Sequence, residues 1–140
     1  MSNAAARGKA RRFVLQALYQ ALMTGEEFVL VMDPFIAEHN MKRADIEYFR
    51  DLLRGIHKSE GELQELLAPV LDRTWDELDP IEKSVLLIGA YELKSRIDVP
   101  YKVVINEGVE LAESFGGSES YKLVNSVLDA LSMELRQAER

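Results

Sequence analysis

The run Val85-Leu86-Leu87-Ile88-Gly89-Ala90-Tyr91 is the feature that most narrows the fold. It follows Asp79-Pro80, where Asp suits an N-cap and Pro the first helical position. The helix so begun extends to about Arg96 and is apolar on most sides through its middle. Such a helix is buried by neighbours on several sides. The sequence therefore predicts a central column wrapped by other helices. The run is far shorter than the roughly 20 apolar residues that span a bilayer, and no other run approaches that length.

The remaining apolar residues recur at three and four, with no strand pattern. A first helix runs from about Gly8 to Met23, with Val14, Leu18, Ala21 and Leu22 on one stripe and Gly25 as its stop. Residues 1–6 read as a flexible lead. A second apolar stretch, Glu27 to His39, contains Asp33-Pro34 and reads as two short pieces. A third helix covers about Asp45 to Lys58, with Ile46, Phe49, Leu52, Leu53 and Ile56 in register. Ser59-Glu60-Gly61-Glu62 and Thr74-Trp75-Asp76-Glu77 match the capping box, so each marks a helix start. Pro100 opens a helix that Gly116-Gly117 ends, and Ser118 caps the last one, striped by Val124, Val127, Leu128, Leu131 and Leu135. The expected fold is all-α, with about seven helices. Short loops favour antiparallel neighbours, hence helical bundles. At 140 residues the chain is about one domain. Pro69–Asp79 is the expected joint between an N-terminal sub-bundle of about 7–72 and a C-terminal one of about 74–136.

The chain has no cysteine, which excludes disulfides, thiolate metal sites and cysteine nucleophiles and fits a reducing cytosol. His39 and His57 read as solvated or capping side chains, with no Glu-x-x-His pair to hold a metal. No phosphate-cradling GxxxxGK[ST] occurs. Nothing points to catalysis or to a cofactor.

Charge is the remaining signal. The net charge is −7, yet the first twenty-five residues contain no acid, and Arg7, Lys9, Arg11 and Arg12 crowd the start of the first helix. Cations there oppose the helix dipole at a cost of about 0.3–1 kcal/mol each. Their presence suggests binding, because guanidinium forks suit phosphates. Arg-rich helix ends also serve protein-binding surfaces. Arg7 and Arg11 fall on the side of Val14 and Leu18 and are expected to project beyond the bundle. Arg12 and Tyr19 share a flank, so Tyr19 reads as a contact residue and Tyr91 as a core one. A second polar surface spans Gly116 to Lys122, where a helix N-terminus can receive a phosphate, Lys122 assisting and Glu119 opposing. A cap and turn also account for its Gly and Ser. Glu82 stands in a first helical turn, favoured by the dipole, as an exposed carboxylate able to meet a basic partner.

Taken together, QALYQ after the Arg-rich start, YFRDLLRGI at 48–56, EKSVLLIGAYEL at 82–93, DVPYKVVINEGVELAESFG at 98–116 and KLVNSVLD at 122–129 resemble the NusB family of bacterial antitermination factors. The resemblance runs from about Arg7 to Asp129. It implies two packed three-helix bundles, no catalytic activity and no cofactor. It also implies a cytoplasmic protein that pairs with NusE, a small-subunit ribosomal protein. The pair would bind boxA RNA in nascent ribosomal RNA leaders and help RNA polymerase read through terminators. Carried across by motif, the arginine-rich RNA contacts correspond to Arg7, Lys9 and Arg11, with Arg12 an addition here. The helix-start RNA contacts correspond to Phe115, Glu119, Ser120, Lys122 and Leu123. The NusE-facing residues correspond to Tyr19, Asp76 and Glu82. Gly8 interrupts a basic run that can be continuous in the family, and Val70 and Leu123 stand where some relatives carry aromatics. Two other readings stay open: a protein-binding helical scaffold, including a homodimer, and a stand-alone RNA-binding module assisting ribosomal RNA modification.

Overall fold

The computed structural model describes residues 3–140. Among them are six α-helices, three short 3-10 turns and no strand. The helices are α1 (Ala4–Thr24), α2 (Phe28–Glu38), α3 (Ile46–Leu67), α4 (Pro80–Ser95), α5 (Tyr101–Phe115) and α6 (Ser120–Leu135). The first three pack on one another, and so do the last three. Helix α4 also packs on α1 and α3, which fuses the two three-helix groups. The expected central column is thus present: every α4 residue from Ser84 to Leu93 is buried. No helix among the described residues is long and apolar enough to cross a membrane.

Close approach around α4 depends on two glycines. A Cβ on Gly89 of α4 would lie 2.7 Å from Leu128, and one on Gly108 of α5 would lie 2.8 Å from it. Leu128 of α6, fully buried, therefore wedges into a notch that only these glycines leave open. The far end of α4 is sealed by Arg136, itself 4% exposed. Its guanidinium donates to the carbonyls of Glu92 (3.0 Å), Leu93 (2.8 Å), Arg96 (3.0 Å) and Val99 (3.0 Å). Among these, the Leu93 carbonyl lies in the last turn of α4, where carbonyls lack intrahelical partners, while the Glu92 carbonyl also accepts from the Arg96 N–H.

Several local expectations are corrected. Helix α1 starts at Ala4, not Gly8, because Asn3 caps it: the Ala6 N–H donates to Asn3 Oδ1 at 2.8 Å. An Asn cap before three alanines is a strong helix start, and it replaces the flexible lead expected over residues 3–6. Residues 1 and 2 lie outside the described residues. Helix α2 continues unbroken through Pro34. Leu30, whose carbonyl loses its amide partner there, is on the exposed face at 61%. Helix α3 runs on through Ser59, which caps nothing, because Leu63 and Leu67 extend the fully buried stripe. Ser118 does not cap α6 either. The N-cap position is Glu119, without a side-chain cap bond. The Thr74 box forms as expected but caps only a 3-10 turn, Trp75–Glu77. The Asp79 cap, the Pro100 start and the Gly25 stop, at φ 78°, stand where the sequence placed them.

Leu128→Ala empties the notch between Gly89 and Gly108. Its expected cost is about 2–5 kcal/mol, to be measured by urea denaturation.

Candidate nucleic-acid interface

The basic start of α1 divides into two faces. Val14 and Leu18 continue inward from Arg7 and Arg11, so the helix turns these two arginines towards the body of the protein. Arg11 is 3% exposed. It donates to Glu92 of α4 (Nε to Oε2, 2.9 Å) and to Glu107 of α5 (3.0 Å). The Tyr48 hydroxyl of α3 donates to the same Glu92 carboxylate. One guanidinium and one phenol thus hold a carboxylate buried between α1, α3 and α4, with α5 adding a second acid.

Arg7 lies one turn earlier. Its guanidinium sits 4.4 Å above the Tyr48 ring and pairs with Asp98 at 3.1 Å. Arg96 covers the same ring at 4.7 Å and binds Asp98 and Asp51. Tyr48 is thus a cation–π platform for several guanidiniums. The expectation that Arg7 and Arg11 project beyond the bundle is overturned. Acids from α4, α5 and the α4–α5 loop meet them, which the sequence of α1 alone does not reveal.

The buried charges shift accordingly. Burial pushes the Glu92 carboxyl upward, while Arg11 and Tyr48 pull it back. The Tyr48 hydroxyl is also pushed upward, first by burial and then by the Glu92 charge. Asp98 is held down to about 2 by its hydrogen bonds from Arg96 and Arg7.

Lys9 and Arg12 form the outer face of α1, and both are exposed. Arg12 lies over the Phe115 ring at 4.9 Å, joining α1 to the end of α5. Beyond Phe115 the chain turns tightly: a Cβ on Gly116 would meet the Ala112 carbonyl at 2.8 Å and Ser120 at 2.9 Å. This turn delivers Glu119, Ser120, Lys122 and Leu123. Glu119, Lys122 and Leu123 line one cavity with Val70, Arg73 and Glu82. Lys122 and Glu119 form an exposed ion pair at 3.0 Å, so the acid partly neutralises the cation beside it.

Glu82 is half-buried rather than an exposed carboxylate. Its Oε1 accepts from the Asp79 N–H at 3.1 Å, completing a capping box, and its Oε2 accepts from Ser120 Oγ at 3.0 Å. It therefore couples the starts of α4 and α6. Tyr19 is 39% exposed on α1, and Asp76 is exposed on the 3-10 turn before α4. Tyr91, expected in the core, is buried at 8% with its hydroxyl towards Asp51 at 3.3 Å. His39 is the C-cap residue of α2, with Nδ1 2.9 Å from the Phe35 carbonyl.

The residues that sequence reasoning missed are Tyr48, Glu92, Asp98 and Glu107. One signal was available. Glu92 is an acid at the end of an otherwise all-apolar helical stretch, and a buried carboxylate demands a cation.

The model of the NusB family matches residues 8–133. Transcription antitermination protein NusB of Marinobacter nauticus is 52% identical over 133 residues, covering 95% of this chain and 84% of that protein. The protein of the same name from Alcanivorax borkumensis is 51% identical over 138 residues, covering 99% of this chain and 92% of its own. Among solved structures, T. maritima NusB superposes with a TM-score of 0.85 at 26% identity, covering 99% of this chain and 98% of that one. A chain in the crystal structure of the antitermination factors NusB and NusE in complex with dsRNA shares the fold. Its TM-score is 0.83 at 24% identity, covering 94% of this chain and 99% of that one.

Arg11→Gln strands Glu92 without its cation and is expected to cost about 3–5 kcal/mol near neutral pH. The sign with pH follows from the raised Glu92 value. The folded state holds that proton more tightly than the unfolded chain, so stability falls as pH rises through and above the ordinary glutamate range. Without Arg11 this slope steepens, and the loss shrinks near pH 5. Urea denaturation of both proteins across pH reads the difference.

Proposed function

The chain belongs to the NusB family, and on that premise we propose that it is an RNA-binding transcription antitermination factor without catalytic activity. It pairs with NusE and binds boxA RNA in nascent ribosomal RNA leaders, as part of the RNA polymerase antitermination complex of the cytoplasm. The observation that carries this reading is the exposed Arg12 stacked on Phe115 at the edge of the α5–α6 turn. A guanidinium over an aromatic ring, with Lys9 lining the same groove as Arg12, offers phosphate pairing and base stacking together.

The roles divide along the two faces of α1. Lys9, Arg12 and Lys122 pair with phosphates. Phe115 and Leu123 supply apolar surface to bases. Ser120 fixes the start of α6 through Glu82. Arg7 and Arg11 act indirectly, by docking α1 so that Lys9 and Arg12 point outward. Tyr19, Asp76 and Glu82 are the residues offered to NusE; Asp76 is the exposed acid among them, while the Glu82 carboxylate is already held by Asp79 and Ser120. The sub-bundles of about 7–72 and 74–136 act as one unit, with RNA held where α1 meets the end of α5 and along the turn that leads into α6.

Few phosphate contacts give weak binding at physiological salt, so NusE must add surface and charge. Arg12→Ala and Lys122→Ala should each lower the salt slope of binding to boxA RNA by about 0.7. Glu119→Gln should raise affinity by removing a repelling carboxylate and releasing Lys122. Filter binding with boxA and scrambled RNA, with and without NusE, tests these expectations. Wild-type slopes in Arg12→Ala and Lys122→Ala would reject the reading.

A further inference from the structure

We infer that the loop between α2 and α3, together with the outer face of α1, forms a second docking surface for a single strand of RNA. The inference rests on the RNA-binding reading and extends the path of the strand onto the N-terminal bundle.

Lys9, Phe13, Asn40, Lys42, Arg43 and Ala44 line one cavity, and no carboxylate is among them. That is unusual in a chain of net charge −7. The grooves on the other side of the arginine-rich start include Asp98, Glu107 and Glu110, and the one at the start of α6 includes Asp72, Glu82 and Glu119. Lys9, Lys42 and Arg43 are all exposed. Among the described residues none of them enters an ion pair, unlike Arg7 and Arg11. Three uncompensated cations around one opening favour a polyanion.

The loop presents them at fixed positions. The Asp45 N–H donates to the Ala6 carbonyl at 3.1 Å, tying the loop to the first turn of α1. Asp45 also caps α3 through the Tyr48 N–H at 3.0 Å. Met41 is 4% exposed and anchors the loop in the core. The Lys42 N–H donates to Asn40 Oδ1 at 3.1 Å, leaving the Asn40 amide NH2 as a donor. Phe13, half-buried, is backed edge-on by Phe35 and His39, with ring centroids at 6.0 and 5.9 Å. Cations flanking a braced aromatic ring are the elements of a single-strand groove, with phosphates on the cations and a base on the ring. Lys9 lines this cavity and also the groove that holds Arg12, so the surface continues towards Phe115.

The test uses the full chain with Lys42→Ala and Arg43→Ala combined, leaving Phe13 in place because it packs on Phe35. Salt titrations follow binding to a short boxA RNA and to the same RNA extended at either end by unpaired nucleotides. With the extended RNA the double variant is expected to lose about 1.4 from the salt slope, and about tenfold in affinity at low salt. The short RNA is unaffected. Arg12→Ala, run in parallel, lowers the slope with both RNAs. A wild-type slope on the extended RNA in the double variant, with Arg12→Ala still impaired, overturns this inference and leaves the primary reading standing. Wild-type slopes in both variants overturn the two together. Loss of binding to a polyglutamate peptide with RNA binding unchanged identifies a protein-docking surface and also overturns the inference.

Discussion

Burial of Glu92 is the constraint on which the arrangement of the basic end depends. Helix α4 is enclosed from Ser84 to Leu93, so Glu92, near the end of that stretch, is almost wholly removed from water. An isolated carboxylate in that position costs several kcal/mol. Arg11 and Tyr48 offset the cost by meeting both oxygens, and in doing so they fix three helices in one orientation. The contact reaches across the two bundles: Arg11 and Tyr48 belong to the first, Glu92 to the second. Arg136 completes the same end of α4 from the other side by satisfying its carbonyls.

Fixing α1 in this way decides which of its cations are free. A helix turns about 100° per residue, so pinning Arg7 and Arg11 to one side places Lys9 and Arg12 elsewhere. A basic run that looks uniform in sequence thereby becomes two functional sets. One is spent on Asp98, Glu92 and Glu107 inside the fold. The other remains in solvent. Gly8 has a part in this, since a Cβ there would stand 3.3 Å from the Glu107 carboxylate that reaches Arg11. The interruption of the basic run is where α1 makes room for an acid of α5.

The elements were largely legible because they rest on local rules. The stripes of α1, α3 and α6, the Asp79-Pro80 start and the Gly25 stop depend on neighbours in sequence. The errors arose where tertiary burial outvoted a local signal. Pro34 stays inside α2, and the Ser59 box is overridden because Leu63 and Leu67 prolong a buried face. The site was less legible for a different reason. The carboxylates that accept hydrogen bonds from Arg7 and Arg11 are about 80 to 100 positions away in the chain, and no periodicity links them. Arg12 and Phe115 were both singled out, but their stacking is a product of the fold.

Acids close to the exposed cations shape what such a surface can bind. Glu107 and Glu110 share a groove with Lys9 and Arg12, and Glu119 pairs with Lys122. Each lowers the local potential that draws in a polyanion, so non-specific affinity for nucleic acid is held down. On the RNA-binding function proposed above, such a surface would select for ligands that satisfy several separated cations at once and place a base on Phe115. A short polyanion meeting only one cation gains little against the neighbouring carboxylates. A strand long enough to touch Arg12 and Lys122 together gains from both, without added cost in positioning, because the Phe115 turn and the Ser120–Glu82 bond already hold those side chains' helices in place. The acidic body therefore sharpens the basic edge: it limits what binds, while the buried Glu92 network keeps the edge in position.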